Sequence, residues 1–258
     1  MKLLFPCLLI LCLTLSLGAR NAATAATPAA VPTLPDAIAG VPEFNTTGGR
    51  ASTGSAGVVK LKDGTQSYII SARHLLGPEG AFDGQVAAKD VPAFVRSIRI
   101  TAFFSGSARN YHVAGLLVPA SGLQTHSSEP FDDLAVYLIK DNLPQGQAAV
   151  LADRVPALGA QVWVVATVRG GVPHGQIMQS GRVTSNIRGP KWLNFQFDND
   201  RIVTAGASGA PLVNAAGEVI GVYSGHCLVQ GHVIGFAIPA PLIATAIKFA
   251  SAQALARQ

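Results

Sequence analysis

The chain has 258 residues, of which 49% are hydrophobic, with 19 Lys and Arg against 14 Asp and Glu and a formal net charge of +5. This length suits one domain behind any leader, and a mild positive excess without a Lys/Arg run argues against dedicated nucleic-acid binding. Three cysteines, two of them at Cys7 and Cys12, exclude a disulfide scaffold.

In chain order, Met1-Lys2 followed by an almost unbroken apolar run from Leu3 to Leu17 reads as the charged and apolar regions of an export signal over residues 1–25. The run is shorter than the ~20 apolar residues of a membrane span, so no membrane anchor is expected after signal removal. Small residues at Ser16-Leu17-Gly18 and Ala23-Thr24-Ala25 offer cleavage between about 18 and 26. Neither Cys7 nor Cys12 follows a small residue, which argues against acylation. A cut after Ala25 removes Lys2 and Arg20, leaves 17 basic residues against 14 acidic ones, and leaves Cys227 as the one cysteine. The mature domain then holds no internal disulfide. Export is the expectation. Residues 26–47 are Ala/Pro-rich without an apolar period and read as an extended tether, with the folded domain at 48–258.

Beyond the tether, short apolar runs are punctuated by Gly, Pro, Asn and Asp, which favours an all-β barrel class. Tyr68–Leu76 is a β-rich run ending at His74. Arg96 and Arg99 alternate with apolar residues as the solvent side of a strand would. Further runs cover Tyr111–Val118, Phe131–Ile139, Gln161–Val168 and Val233–Ile238, the second of them opening on the carboxylates Asp132 and Asp133. Pro241–Ala250 carries apolar groups at helical spacing after a proline start, which predicts a C-terminal helix.

Gly206-Ala207-Ser208-Gly209-Ala210-Pro211 sets a serine in a glycine-rich turn directly before an apolar strand. Small flanking residues let a carbonyl reach the hydroxyl, and let the N–H groups of Gly206 and Ser208 point at an oxygen that becomes negative. Serine between glycines is also an ordinary turn. Acyl transfer needs a base to take the serine proton and a carboxylate to hold that base in the right tautomer, and His74 and Asp133 supply both residue types. The order His, Asp, Ser is not that of an α/β-hydrolase, whose nucleophile comes first and is followed two residues later by glycine, where Ala210 stands here. His226-Cys227 and His232 lack the carboxylate, fourth ligand and paired spacing of a zinc site.

These segments resemble the chymotrypsin-fold serine peptidases, on the branch of the bacterial HtrA-type and glutamyl-endopeptidase-like enzymes. Ser71-Ala72-Arg73-His74 is similar to the Thr-Ala-Ala-His motif, and Asp133-Leu134-Ala135-Val136 to Asp-Leu-Ala-Leu, with Asp132 as a flanking residue. Gln179–Ser185, Gly217–Val222 and Ile234–Pro239 resemble the strands around the nucleophile, so the likeness runs from about Ser52 to Ile247. It implies two six-stranded antiparallel β-barrels with a C-terminal helix, and a bacterial enzyme of the periplasm or the extracellular space; the roughly 200 residues beyond the tether leave no room for a second domain such as a PDZ module. It also implies a serine endopeptidase with His74 as base, Asp133 as its orienting acid, Ser208 as nucleophile and an oxyanion hole at Gly206 and Ser208. Ile202 and Val203 would lie at the base of the specificity pocket, and Tyr223, Ser224, Gly225 and His226 would form its wall. Peptides or proteins are the implied substrates, no cofactor or metal is required, and oligomeric state is left open. The chain departs from the family at Ala207 and Ala210. Alanine at 207 excludes zymogen activation through a new amino terminus and puts in doubt how firmly the oxyanion turn is held. The alternative from another class is a catalytically silent barrel that binds peptides or envelope proteins.

Overall fold

The structure, a computed structural model, describes residues 30–80, 82–84, 86–87, 90–116, 130–185 and 191–255. The expected export signal and its cleavage region lie outside them. The first half contains β1 (Ala39–Thr46), β2 (Gly49–Ser52), β3 (Ala56–Lys60), β4 (Ser67–Ala72), the single turn α1 (Val91–Phe94), β5 (Val95–Ala102), β6 (Ala108–Leu116), β7 (Leu134–Ile139) and β8 (Ala149–Val150). The second half contains β9 (Gln161–Val165), β10 (Met178–Val183), β11 (Leu193–Phe197), β12 (Pro211–Val213), β13 (Val219–Val229), β14 (His232–Pro239) and the helix α2 (Ala240–Leu255).

Each half closes on itself. In the first, the order β1-β5-β6-β7-β4-β3 returns to β1 through Ala39↔Gly57 and Gly40↔Ala56, with β2 hairpinned on β1 and β8 parallel on β3 outside the ring. In the second, six strands close in the order β10-β11-β14-β13-β12-β9. This is the expected pair of barrels with its C-terminal helix. The seam of the first barrel requires glycine: a Cβ on Gly40 would sit 2.2 Å from the Thr101 carbonyl oxygen. A Cβ on Gly57 would sit 2.4 Å from the Pro211 ring, because β12 of the second barrel packs directly on that seam.

The sequence pattern explains how the core divides. The alternation of β5 buries Val95, Ile98 and Ile100 while Arg96 and Arg99 face solvent, as predicted. Strand β4 is buried along its whole length, so both of its faces are covered. Ile69 packs inside the first barrel with Phe44, Val58, Ile98 and Tyr137, whereas Tyr68 and Ile70 belong to the cluster built around the second barrel. That places the C-terminal end of β4, which leads into His74, at the junction of the two barrels. On α2, Ile243, Ala246 and Ile247 are buried against the second barrel, an i, i+3, i+4 stripe. Among the described residues no helix is long and apolar enough to cross a membrane.

One boundary is corrected. The segment read as tether up to residue 47 contains β1, which lies between β5 on one side and β2 and β3 on the other. Its inward positions are Gly40, Pro42, Phe44 and Thr46, so the period-two pattern is carried by residues that look like linker composition. Pro42 falls in the gap between the β3 pairing and the β2 pairing, where a strand tolerates proline best. Strand β9 also ends earlier than predicted, at Val165, and Val118 lies outside the described residues.

A chain beginning at residue 48 therefore loses a strand of the barrel and the buried Phe44. It is predicted to show no cooperative thermal transition by circular dichroism, while a chain spanning 30–258 unfolds cooperatively. Equal melting temperatures for the two would contradict the placement of β1.

Candidate active site

Antiparallel pairing of β4 with β7 ends at Ala72↔Leu134, so the residue that follows β4 and the residue that precedes β7 emerge side by side. Both emerge into 3₁₀ turns, Arg73–Leu76 and Pro130–Asp133. The His74 backbone N–H donates to Asp133 Oδ1 at 3.0 Å, and its ring Nδ1 lies 2.8 Å from Oδ1 and 3.0 Å from Oδ2. Both side chains are about one-fifth exposed. Of the two adjacent carboxylates it is Asp133 that meets the imidazole, while Asp132 is buried and its carbonyl accepts from Arg73 Nε.

The second barrel contributes to the same carboxylate. The register of β13 against β14 slips between Tyr223 and Gly225, and a bulge of this kind re-aims the extra side chain. The Ser224 hydroxyl donates to Asp133 Oδ2. Ser224, expected in the pocket wall, is thus brought to the His74–Asp133 pair.

The Ser208 turn is held by backbone hydrogen bonds. Ala207 N donates to Thr204 O at 2.9 Å and Ala210 N to Ala207 O at 2.9 Å. Gly209 N donates to Tyr223 O at 2.8 Å, and Tyr223 N to Ala210 O at 2.8 Å. From the first barrel, Ser55 N donates to Ser208 O at 2.8 Å. Ala207 is completely buried in the apolar core, so an acidic or amide side chain there would need a polar partner inside that core. Gly206 and Gly209 have φ of +100° and +84°, values that side-chain-bearing residues rarely adopt. A Cβ on Gly209 would lie 2.5 Å from Ser71 Oγ and 2.9 Å from Ala72 N. The turn therefore packs against the end of β4, two residues before His74.

The imidazole Nε2 is buried and makes no hydrogen bond among the described residues, and Glu79 Oε2 lies 3.4 Å from it. Ser208 is half-buried. Burial of the imidazole disfavours its charged form, but the hydrogen bond and charge of Asp133 and the charge of Glu79 outweigh that, and the His74 pKa is raised above its ordinary 6.5.

The expected pocket residues separate. Ile202 is buried, whereas Val203 is 51% exposed and bridges to Gly170. The Tyr223 ring is buried within the second barrel, 6.2 Å from Phe195 and 6.1 Å from Phe197, so its contribution to a pocket wall comes from the backbone. Gly225 is half-buried on β13. Exposed His226 follows, its Nδ1 2.9 Å from the hydroxyl of buried Thr204. His232 instead pairs with Asp200 at 2.9 Å, so the two histidines near Cys227 have different partners. Thr204, Ser55 and Glu79 were not singled out in the sequence. For Ser55 a signal was present: Gly54-Ser55-Ala56-Gly57 is a run of small residues, which marks a close backbone approach.

No curated protein sequence matches the chain significantly. Several solved structures share its fold. The thermostable serine protease AL20 from an extremophilic microorganism is 18% identical with a TM-score of 0.54, covering 84% of this chain and 98% of that one. The serine endoprotease from Yersinia pestis is 21% identical at 0.52, covering 86% and 68%. The HtrA-type protease AlgW, solved with a tripeptide, is 21% identical at 0.50, covering 81% of this chain; the present chain spans only 58% of its length.

His74 raised in this way favours the folded state below pH 6.5, and that contribution fades as pH rises through the folded-state pKa. The prediction is an NMR titration of the His74 ring above 6.5 that moves down in Glu79→Gln. A value at or below 6.5, unchanged by the substitution, would contradict the geometry at Nε2. Residues 54–222 match the trypsin-like peptidase domain family, and the chain belongs to that family.

Proposed function

We propose that the protein is a serine endopeptidase that cleaves peptide bonds through an acyl-enzyme, with His74, Asp133 and Ser208 as its triad. The observation that carries this reading is the pairing of His74 Nδ1 with a carboxylate at 2.8 Å. A proton on Nδ1 that is shared with Asp133 leaves the lone pair on Nε2. Nε2 then takes the Ser208 proton as the hydroxyl attacks the scissile carbonyl. Asp133, held by His74 and Ser224, stabilises the imidazolium, as does Glu79. The amides of Gly206 and Ser208 take the oxyanion. The imidazolium next protonates the leaving amine; water then attacks the acyl ester as His74 Nε2 takes its proton, and the imidazolium returns that proton to Ser208 Oγ as the bond between Oγ and the acyl carbon breaks. No step needs a metal or organic cofactor.

The substrate lies extended along Ser224–His226 and adds its backbone as a strand. Export to a bacterial periplasm or exterior remains part of this proposal, as do peptide or protein substrates. The side chain on the acyl side of the cut bond is small or aliphatic, because neither Ile202 nor Val203 supplies a carboxylate and a buried Lys or Arg without a partner costs several kcal/mol.

Ser208→Ala is expected to abolish peptide hydrolysis, with a loss on the order of a millionfold in kcat as in comparable triads, and to leave the melting temperature unchanged. Retention of a tenth of the activity would contradict the assignment. Cleavage of a mixed peptide library is expected to follow small and aliphatic residues. Dominant cutting after Arg or Lys would contradict the pocket described, and dominant cutting after Glu would assign that specificity to His226 and Thr204.

A further inference from the structure

Alanine at position 207 brings no side-chain hydrogen bond to the nucleophile turn, yet the two residues whose amides face the oxyanion need a fixed orientation. Gly206, at φ +100°, and Gly209, at φ +84°, bracket Ser208 with the least restricted backbone available. Bonds within the turn hold the Ala207 carbonyl, through the Ala210 N–H, whereas the Gly206 and Ser208 carbonyls are held from outside it.

Ser55, in the link between β2 and β3, meets that need. Its hydroxyl donates to the Gly206 carbonyl at 2.8 Å, and its backbone N–H donates to the Ser208 carbonyl at 2.8 Å. Both donors of one residue thus engage the carbonyls of the two residues whose N–H groups form the proposed oxyanion hole. Ser55 is itself held, because Ser71 Oγ donates to its carbonyl at 2.8 Å. Ser55 and Ser71 are both completely buried, so their donor groups are shielded from water. Ser71 lies on β4, three residues before His74, so one chain of hydrogen bonds runs from the strand that carries the base to the turn that carries the nucleophile. Space enforces the arrangement: a Cβ on Gly209 would fall 2.2 Å from the Ser55 carbonyl oxygen, and one on Gly54 would fall 2.8 Å from the Ser208 carbonyl oxygen.

We infer that Ser55 is a positioning residue of the first barrel that pins the Gly206–Ala207 and Ser208–Gly209 peptide planes of the second, which adjoin the Gly206 amide and flank the Ser208 amide, in place of the side-chain bond that residue 207 lacks. The inference rests on the peptidase reading above. A group that only orients oxyanion donors acts on the transition state and leaves substrate binding alone.

The test compares wild type with Ser55→Ala, Ser55→Thr and Ser71→Ala, measuring kcat and KM on a peptide cleaved by the wild type, and Ki for a peptidyl trifluoromethyl ketone, whose adduct carries an oxyanion. Expected for Ser55→Ala is a loss of about tenfold or more in kcat, smaller than the 10²–10³ seen when an oxyanion donor itself is removed. KM should stay within about twofold, and Ki should rise by about the same factor as kcat falls. Ser55→Thr keeps the hydroxyl and should recover most of kcat, while Ser71→Ala should show the same pattern as Ser55→Ala at smaller size. If Ser55→Ala does not fold, the Ser71→Ala and Ser55→Thr measurements decide. Unchanged kcat and Ki in folded variants, or a change confined to KM, would overturn the inference and leave the peptidase reading intact. A wild type that neither cleaves peptides nor binds the ketone would overturn the reading itself.

Discussion

The site depends on hydrogen bonds that cross between the barrels in opposite directions. Ser55 of the first barrel holds the Ser208 turn of the second, and Ser224 of the second holds Asp133 of the first. Each bond contributes roughly 1 kcal/mol net, too little to account for barrel association. That association comes from apolar burial, with Tyr68, Ile70, Leu134 and Val136 joining the cluster of the second barrel. What the crossing bonds supply is register. They set His74 and the Ser208 turn, which lie on different barrels, in one relative position.

Register also explains the small residues at the junction. Gly54, Gly57 and Gly209 each stand where a Cβ would strike the other barrel or its turn at 2.9 Å or less. The polar groups there are short serines and backbone, which bond at close approach without the entropy cost of ordering long side chains. Glu79, by contrast, is largely exposed and acts on His74 through charge.

Much of this was legible in the sequence. His74, Asp133 and Ser208 stand at strand margins, where a run of apolar residues meets polar or small ones, and that contrast is visible in the sequence. The helix α2 was visible for a similar reason, since Ile243, Ala246 and Ile247 repeat at helical spacing. Strand β1 was hidden because Gly40, Pro42 and Thr46 occupy inward positions that are usually apolar and β-branched. The role of Ser224 was hidden because it depends on a bulge in β13, and nothing local to the residue reports that slip. Ser55 and Glu79 act on residues distant in sequence or around a turn, so only the assembled fold relates them to the site. Ile202 and Val203 were named from their distance in sequence to Ser208, and such a distance does not tell a buried side chain from an exposed one.

The central claim is that Ser208 is an activated nucleophile served by His74. Reaction of the folded protein with a fluorophosphonate probe, followed by mass mapping of the adduct, tests it most directly, because phosphonylation requires an assembled and activated serine. The account predicts a single adduct on Ser208, formed faster as pH rises through the His74 titration and lost in His74→Ala. Absence of labelling in the folded protein, or an adduct on a different serine, would contradict it.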